Sequence, residues 1–193
     1  MNAITQILTQ QLTGRAVSTI AQRFGISETA ANTAVQIGVP LLLTALARNS
    51  SEPQGAQDLH QAINNDHDGS IFDNLMGYLH NPQTANGAGI LGHVFGGNQS
   101  TVANNLAQAT GMDQNSASGV LETLAPLVMG AVGQTQQQNG LNASDLSNLL
   151  NSQQQQGQEH GPGVVGMLGS MLDQNQDGSA MDDLQRIAAK IFK

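Results

Sequence analysis

Cysteine and tryptophan are missing from this chain of 193 residues, and its aromatic content is one tyrosine and four phenylalanines. Without cysteine there can be no disulfide, thiolate zinc site, iron–sulfur cluster or cysteine nucleophile. With so few aromatics, a core must be assembled from Leu, Ile, Val, Ala and Met. That suits closely packed helices with small residues at their crossings better than a β-sandwich. Charge is scarce too: charged residues are 10% of the chain, six basic against fourteen acidic, for a formal net charge of −8. The acidic excess opposes binding to nucleic acid or anionic lipid and leaves a basic partner or a cation as the easier guest. Long hydrophobic runs are lacking as well. The apolar stretches 35–47 and 120–132 fall short of a bilayer span, so the expectation is buried central helices and no membrane association. Residues 1–12 lack a cationic stretch followed by a long apolar one, so no secretory leader is expected and the expected compartment is cytoplasmic.

What the sequence does contain is self-similarity. Ile20-Ala21-Gln22-Arg23-Phe24-Gly25-Ile26-Ser27, followed by Val39-Pro40-Leu41-Leu42 and Ala45, is answered by Leu106-Ala107-Gln108-Ala109-Thr110-Gly111-Met112-Asp113, then Ala125-Pro126-Leu127-Val128 and Ala131. Both glycines and both prolines fall at one offset without a gap. The stretch from Asn64 to Leu75 is answered in turn by that from Asp173 to Leu184. The fold class expected is therefore all-α: two tandem diverged helical repeats packed as a bundle, with Asp/Asn-Gly-Ser loops. The first unit is placed at 1–80, a connection at 81–89, and the second unit at 90–193. A Gln-rich flexible spacer, disordered or frayed, is expected at about 134–160.

Periodicity fills in the elements. Val17, Ile20, Ala21 and Phe24 recur at helical spacing, Gly25 can supply a left-handed C-terminal cap, and Ser27 can cap the helix that follows. Pro40 and Pro126 each belong in the first turn of a new helix or mark a kink, because an interior proline loses a hydrogen bond. Stretches 49–57 and 81–89 read as connections. Leu184, Ile187, Ala188, Ile191 and Phe192 form the stripe of a last amphipathic helix, with Arg186, Lys190 and Lys193 near its C-terminus.

The acidic loops are the sharpest chemical feature. In Asp173-x-Asn175-x-Asp177-Gly178-Ser179, side-chain oxygens alternate so that three can converge on one cation while the glycine allows a sharp turn, as in the opening of an EF-hand loop. Asn64-x-Asp66-x-Asp68-Gly69-Ser70 repeats the pattern. The bidentate Glu of the standard motif is replaced by Leu75 and Leu184, and Asp73, Asp182 and Asp183 could close shorter sites. Such hard oxygen donors suit calcium. The same residues also spell a turn ending in an N-capping Ser70 or Ser179, with Asp73 or Asp182 reaching back as a capping box. Both uses stay open, and the second loop, with more carboxylates, is the stronger candidate.

Gly89-Ile90-Leu91-Gly92-His93-Val94-Phe95-Gly96-Gly97, the run Leu124-Ala125-Pro126-Leu127-Val128-Met129-Gly130-Ala131 and the Asp-Gly-Ser-x-x-Asp stretches resemble the bacterial YidB-like domain-of-unknown-function family over nearly the whole chain. The resemblance implies a helical bacterial protein and supplies no catalytic residues; some relatives are associated with a homeodomain-like fold. Ala21-x-x-x-Gly25-Ile26-Ser27 does have the rhythm of a helix-turn-helix. The helix it would present opens with Glu28, Thr29, Ala30, Ala31 and Asn32, with no Arg or Lys for phosphate, and Arg15 and Arg23 are too few to replace them. Nucleic acid is therefore disfavoured as a partner.

His60, His67, His80, His93 and His160 are scattered without metal-ligand spacing, and neither a nucleophile elbow nor a phosphate-binding Gly-Lys-Ser/Thr loop occurs. The function expected is that of a non-enzymatic interaction or scaffold protein, binding a protein partner or a second copy of itself, with calcium as a potential ligand. A DNA-associated regulator built on the Gly25 hairpin is the alternative.

Overall fold

The structure, a computed structural model, describes residues 3–159. Two helical hairpins carry most of the core, and their turns form for local reasons. Helix α2 (Gly14–Phe24) stops because Gly25 adopts φ 64°, so that the Gly25 and Ile26 amides fold back onto the carbonyls of Gln22 and Ala21. Helix α3 (Glu28–Asn49) then starts where the Ser27 side chain accepts from the Ala30 amide at 3.1 Å. Helix α7 (Gln99–Thr110) ends likewise at Gly111, φ 73°, and α8 (Gln114–Asn139) begins under Asp113, whose carboxylate accepts from the Asn115 and Ser116 amides at 3.0 Å. Around these lie α1 (Ala3–Gln11), α4 (Pro53–Asp66), α5 (Leu75–His80), α6 (Gly87–Phe95) and α9 (Ala143–Glu159), with 3-10 turns at Ser70–Asn74, Pro82–Ala85 and Gly96–Asn98. No strand occurs among the described residues, and the all-α class holds.

Helix α8 is the axis of the molecule. Residues 123–133 are buried on every side, and α1, α2, α3, α4, α6 and α7 all pack against it. A single apolar core runs from Ile4 and Leu8 through Leu42, Ile63 and Leu79 to Leu106, Leu124, Leu146 and Leu150, drawing on both halves of the sequence. Helices α3 and α8 are each long and apolar enough to cross a membrane by length and composition, and here 56% and 78% of their most apolar windows are buried inside the fold.

Two expectations change, and the choice left open for the prolines is decided. Pro40 and Pro126 lie inside α3 and α8 rather than in a first turn. Pro126 therefore has no N–H for the Glu122 carbonyl, and Gly87, the first residue of α6, packs on that oxygen so closely that a methyl group there would collide with it. The connections at 49–57 and 81–89 are mostly helical, since α4 opens with Pro53 and a 3-10 turn with Pro82, both tolerated where no N–H is needed. The expected Gln-rich spacer is helical on both sides of a turn at 140–142, as far as Glu159. Asn142 accepts from the Ser144 and Asp145 amides while Asp145 reaches back to the Asn142 amide, a reciprocal cap that starts α9. Leu146 and Leu150 are fully buried, so apolar burial rather than glutamine content sets this segment. The stripe expected at Leu184–Phe192 lies outside the described residues.

Candidate functional site

The first acidic loop begins inside a helix. Asn64 and Asp66 belong to the last turn of α4, and two positions apart on a helix they project to opposite sides. Asn64 is engaged elsewhere: its Oδ1 accepts from Gln136 Nε2 at 2.7 Å, and its Nδ2 lies 3.1 Å from His60 Nδ1. Asp68 makes an Asx turn, accepting from the Ser70 amide at 2.9 Å, and the Ser70 hydroxyl and amide hold its carboxyl below the usual value. Gly69, at φ 98°, stands at the start of the 3-10 turn in place of an N-capping Ser70. Asp73 is exposed, and the helix cap that follows is Asn74, whose Oδ1 accepts from the Gly77 amide at 3.2 Å. The capping-box geometry expected of Ser70 and Asp73 is thus replaced by an Asx turn at Asp68 and a cap at Asn74. Among the described residues, no three His, Asp or Glu side chains gather as a cation site. The second loop, with Asp173, Asn175, Asp177, Ser179, Asp182 and Asp183, lies outside the described residues.

What the first loop does shape is a groove. The His67 carbonyl presses on Gly133 and Ile71 on Gly130, so two glycines of α8 let the loop lie close against the helix. Between this loop, α5, the Pro82–Ala85 turn and α6 opens a cleft of about 720 Å³ lined by Asp66, His67, Asp68, Tyr78, Asn81 and Asn86. A second cleft of about 390 Å³ shares Asp66, His67, Asn86 and Ile90 with it and continues past Asp58 and His93 over Leu46, Leu59 and Met129. The two together make a channel with carboxylates at Asp58, Asp66 and Asp68 and an apolar stretch at one end. Among the described residues, no Lys or Arg lines either cleft. Tyr78 anchors the wall, donating its buried hydroxyl to the Thr123 carbonyl of α8 at 2.8 Å, and burial raises its pKa. Asn86, at φ 48°, is the cap that starts α6, accepting from the Gly89 amide at 3.3 Å.

His67 sits where the clefts meet. Burial lowers its pKa from the ordinary 6.5, against the raising influence of Asp66 and Asp68. The unfolded chain therefore takes up this proton before the folded one does, and stability is expected to fall as pH drops from 6.5 toward the folded value. In His67→Gln that decline should flatten, leaving the separate loss at lower pH where Asp68 and Asp113, both held below their usual value, protonate. Melting temperature measured between pH 7.5 and 5 checks this, and an identical profile for wild type and variant would contradict it.

The Gly25 hairpin forms as its sequence suggests, but it exposes little to bind phosphate. Arg15, Arg23 and Arg48 are the basic residues among those described, and Arg23 donates to the His80 carbonyl at 2.9 Å while its guanidinium lies over the Phe24 ring. Glu28, Thr29 and Asn32 are the exposed residues at the start of α3.

The groove was missed from the sequence because its walls come from separated segments. The Asn-x-x-Gly spacing of Asn74/Gly77 and Asn86/Gly89, each an asparagine capping the third helical residue, was the available signal for the two helix starts that frame it. Compared with known proteins, residues 6–135 match the model of a family described as bacterial protein of unknown function (DUF937). No curated protein and no solved structure matches the chain.

Proposed function

From the premise that the chain belongs to this bacterial family of unknown function, we propose that it is a non-enzymatic helical interaction protein whose groove receives a cationic, partly apolar segment of a protein partner in the cytoplasm. The observation that carries the proposal is the lining: Asp58, Asp66 and Asp68 along a channel that, among the described residues, meets no Lys or Arg and passes over Leu46, Leu59 and Met129. Acidic rims speed and orient the encounter with a basic segment, and an apolar floor holds its aliphatic side chains. Helix α8, buried through residues 123–133, gives the groove its back wall at Met129 and Gly130.

A fluorescein-labelled helical peptide of lysine and leucine serves as probe. Saturable, salt-sensitive binding by the full chain is expected, and Asp58→Asn/Asp66→Asn/Asp68→Asn should weaken it about tenfold or more. The proposal fails if the peptide does not bind, or binds the triple variant equally well. The competing role, a DNA-associated regulator on the α2–α3 hairpin, predicts instead salt-sensitive duplex binding lost in Arg15→Ala/Arg23→Ala. Calcium would be held by Asp173, Asn175 and Asp177 rather than by the first loop, and calorimetric titration beside Asp173→Ala/Asp177→Ala decides that separately.

A further inference from the structure

In sequence, helices α3 and α8 correspond residue for residue from Ser27/Asp113 through Pro40/Pro126, yet one face that is fully covered on α8 is only partly covered on α3. On α8, Thr123, Pro126 and Gly130 are buried. Gly87 of α6 rests on the Glu122 carbonyl that Pro126 cannot serve, the Tyr78 hydroxyl reaches the Thr123 carbonyl, and Ile71 lies on Gly130. On α3 the partners of those residues, Ile37, Pro40 and Thr44, are only half-buried, and Gln36, the partner of Glu122, is exposed. Pro40 likewise has no N–H for the Gln36 carbonyl. The α3 face therefore offers the same proline-freed carbonyl with no α6 upon it.

The sequence contains a second segment of the α6 kind. Gly87-Ala88-Gly89-Ile90-Leu91-Gly92-His93-Val94 is matched by Gly161-Pro162-Gly163-Val164-Val165-Gly166-Met167-Leu168, with glycine at the first, third and sixth positions and apolar residues at the fourth, fifth and eighth. Pro162 is compatible with the first turn of a helix. His160 stands where α6 has its capping Asn86, so the start would be less firmly held.

Chain path brings this segment to the level of that partly covered face. Ser147 of α9 donates to the Ser50 carbonyl at the end of α3 at 2.6 Å, and α9 packs along α3. At about 1.5 Å per residue, running back from that contact to Glu159 carries the chain to the level of Gly38 and Pro40. Gly161 follows directly.

We propose that residues 161–168 of the same chain seat on the Gln36–Pro40 face of α3 as Gly87–Val94 seat on α8, with Gly161 over the Gln36 carbonyl. Amide hydrogen exchange in the full-length protein tests it. Amides of Val164, Val165 and Gly166 are expected to exchange at least about tenfold more slowly than in an isolated peptide of residues 160–193. Gly161→Val, whose side chain cannot approach the carbonyl, should return them to the peptide rate, and so should Ile37→Asp. Unchanged protection of α8 amides in both variants shows that the core still folds. Peptide-like rates in the wild type overturn the proposal, as does protection that survives both substitutions. Protection lost on dilution, together with a dimeric mass, would assign the seat to a second copy and overturn it equally.

Discussion

Valine at Gly133 is expected to destabilise the protein by roughly 3 kcal/mol or more, or to prevent folding, because overpacking at a backbone contact cannot be relieved by a rotamer change. A side chain at Gly133 would run into the His67 carbonyl oxygen and come within 3.0 Å of the His67 carbonyl carbon and of Ile63 Cγ2. The obstacle is the backbone at the end of α4, pinned by the bond from the His67 amide to the Ile63 carbonyl at 3.0 Å. Accommodating valine means pushing the end of α4 off α8, which also dismantles the groove at His67. Gly92 provides the contrast, since nothing lies within 4 Å of a methyl placed there. Gly92→Ala in α6 should be neutral or stabilising by up to about 1 kcal/mol. Urea denaturation of the two variants beside wild type checks both signs, and a Gly133→Val midpoint equal to wild type would contradict the packing described.

The second large effect lies where α3 crosses α8. Leu124 is fully buried, and its Cδ1 is 3.0 Å from where a methyl on Gly38 would stand. Leu124→Ala should cost about 2–5 kcal/mol through lost burial and the cavity left behind. Gly38→Ala alone forces the Leu124 methyl aside. Made in the Leu124→Ala background, the same change places a methyl group in the new cavity and should cost less or stabilise. The cycle is therefore expected to show a coupling of about 0.5–3 kcal/mol favouring the double variant over the sum of the singles. Strict additivity would mean that the two residues do not touch in solution.

The helix ends were the most legible part of the sequence. Gly25, Ser27, Gly111 and Asp113 act through their own backbone and the next few amides, so their roles follow from local chemistry. Apolar runs long enough to be buried all round identified α3 and α8 as central. For the prolines the sequence left a first turn and a mid-helix kink both open, because what accompanies the interior position of Pro126 is a tertiary contact: Gly87 covers the carbonyl that Pro126 leaves free. Glutamine content concealed α9, although Asn142 with Asp145 and the spacing of Leu146 and Leu150 carried its signal. At the first acidic loop the residue types were right for oxygen ligation, but α4 continues through Asp66 and so turns Asn64 and Asp66 apart. The groove assembles residues from α3, α4, α5, α6 and α8, and no local pattern announces such a surface.

The most direct test of the acidic groove is to follow the amide resonances of the labelled full-length protein while the lysine–leucine peptide is titrated in. The expected result is a set of saturating shifts at Asp58, Asp66, His67, Asn86 and Ile90, weakening as salt is raised. Shifts confined to the α2–α3 hairpin around Arg15 and Glu28, or no shifts at all, would contradict the assignment of this groove as the binding surface.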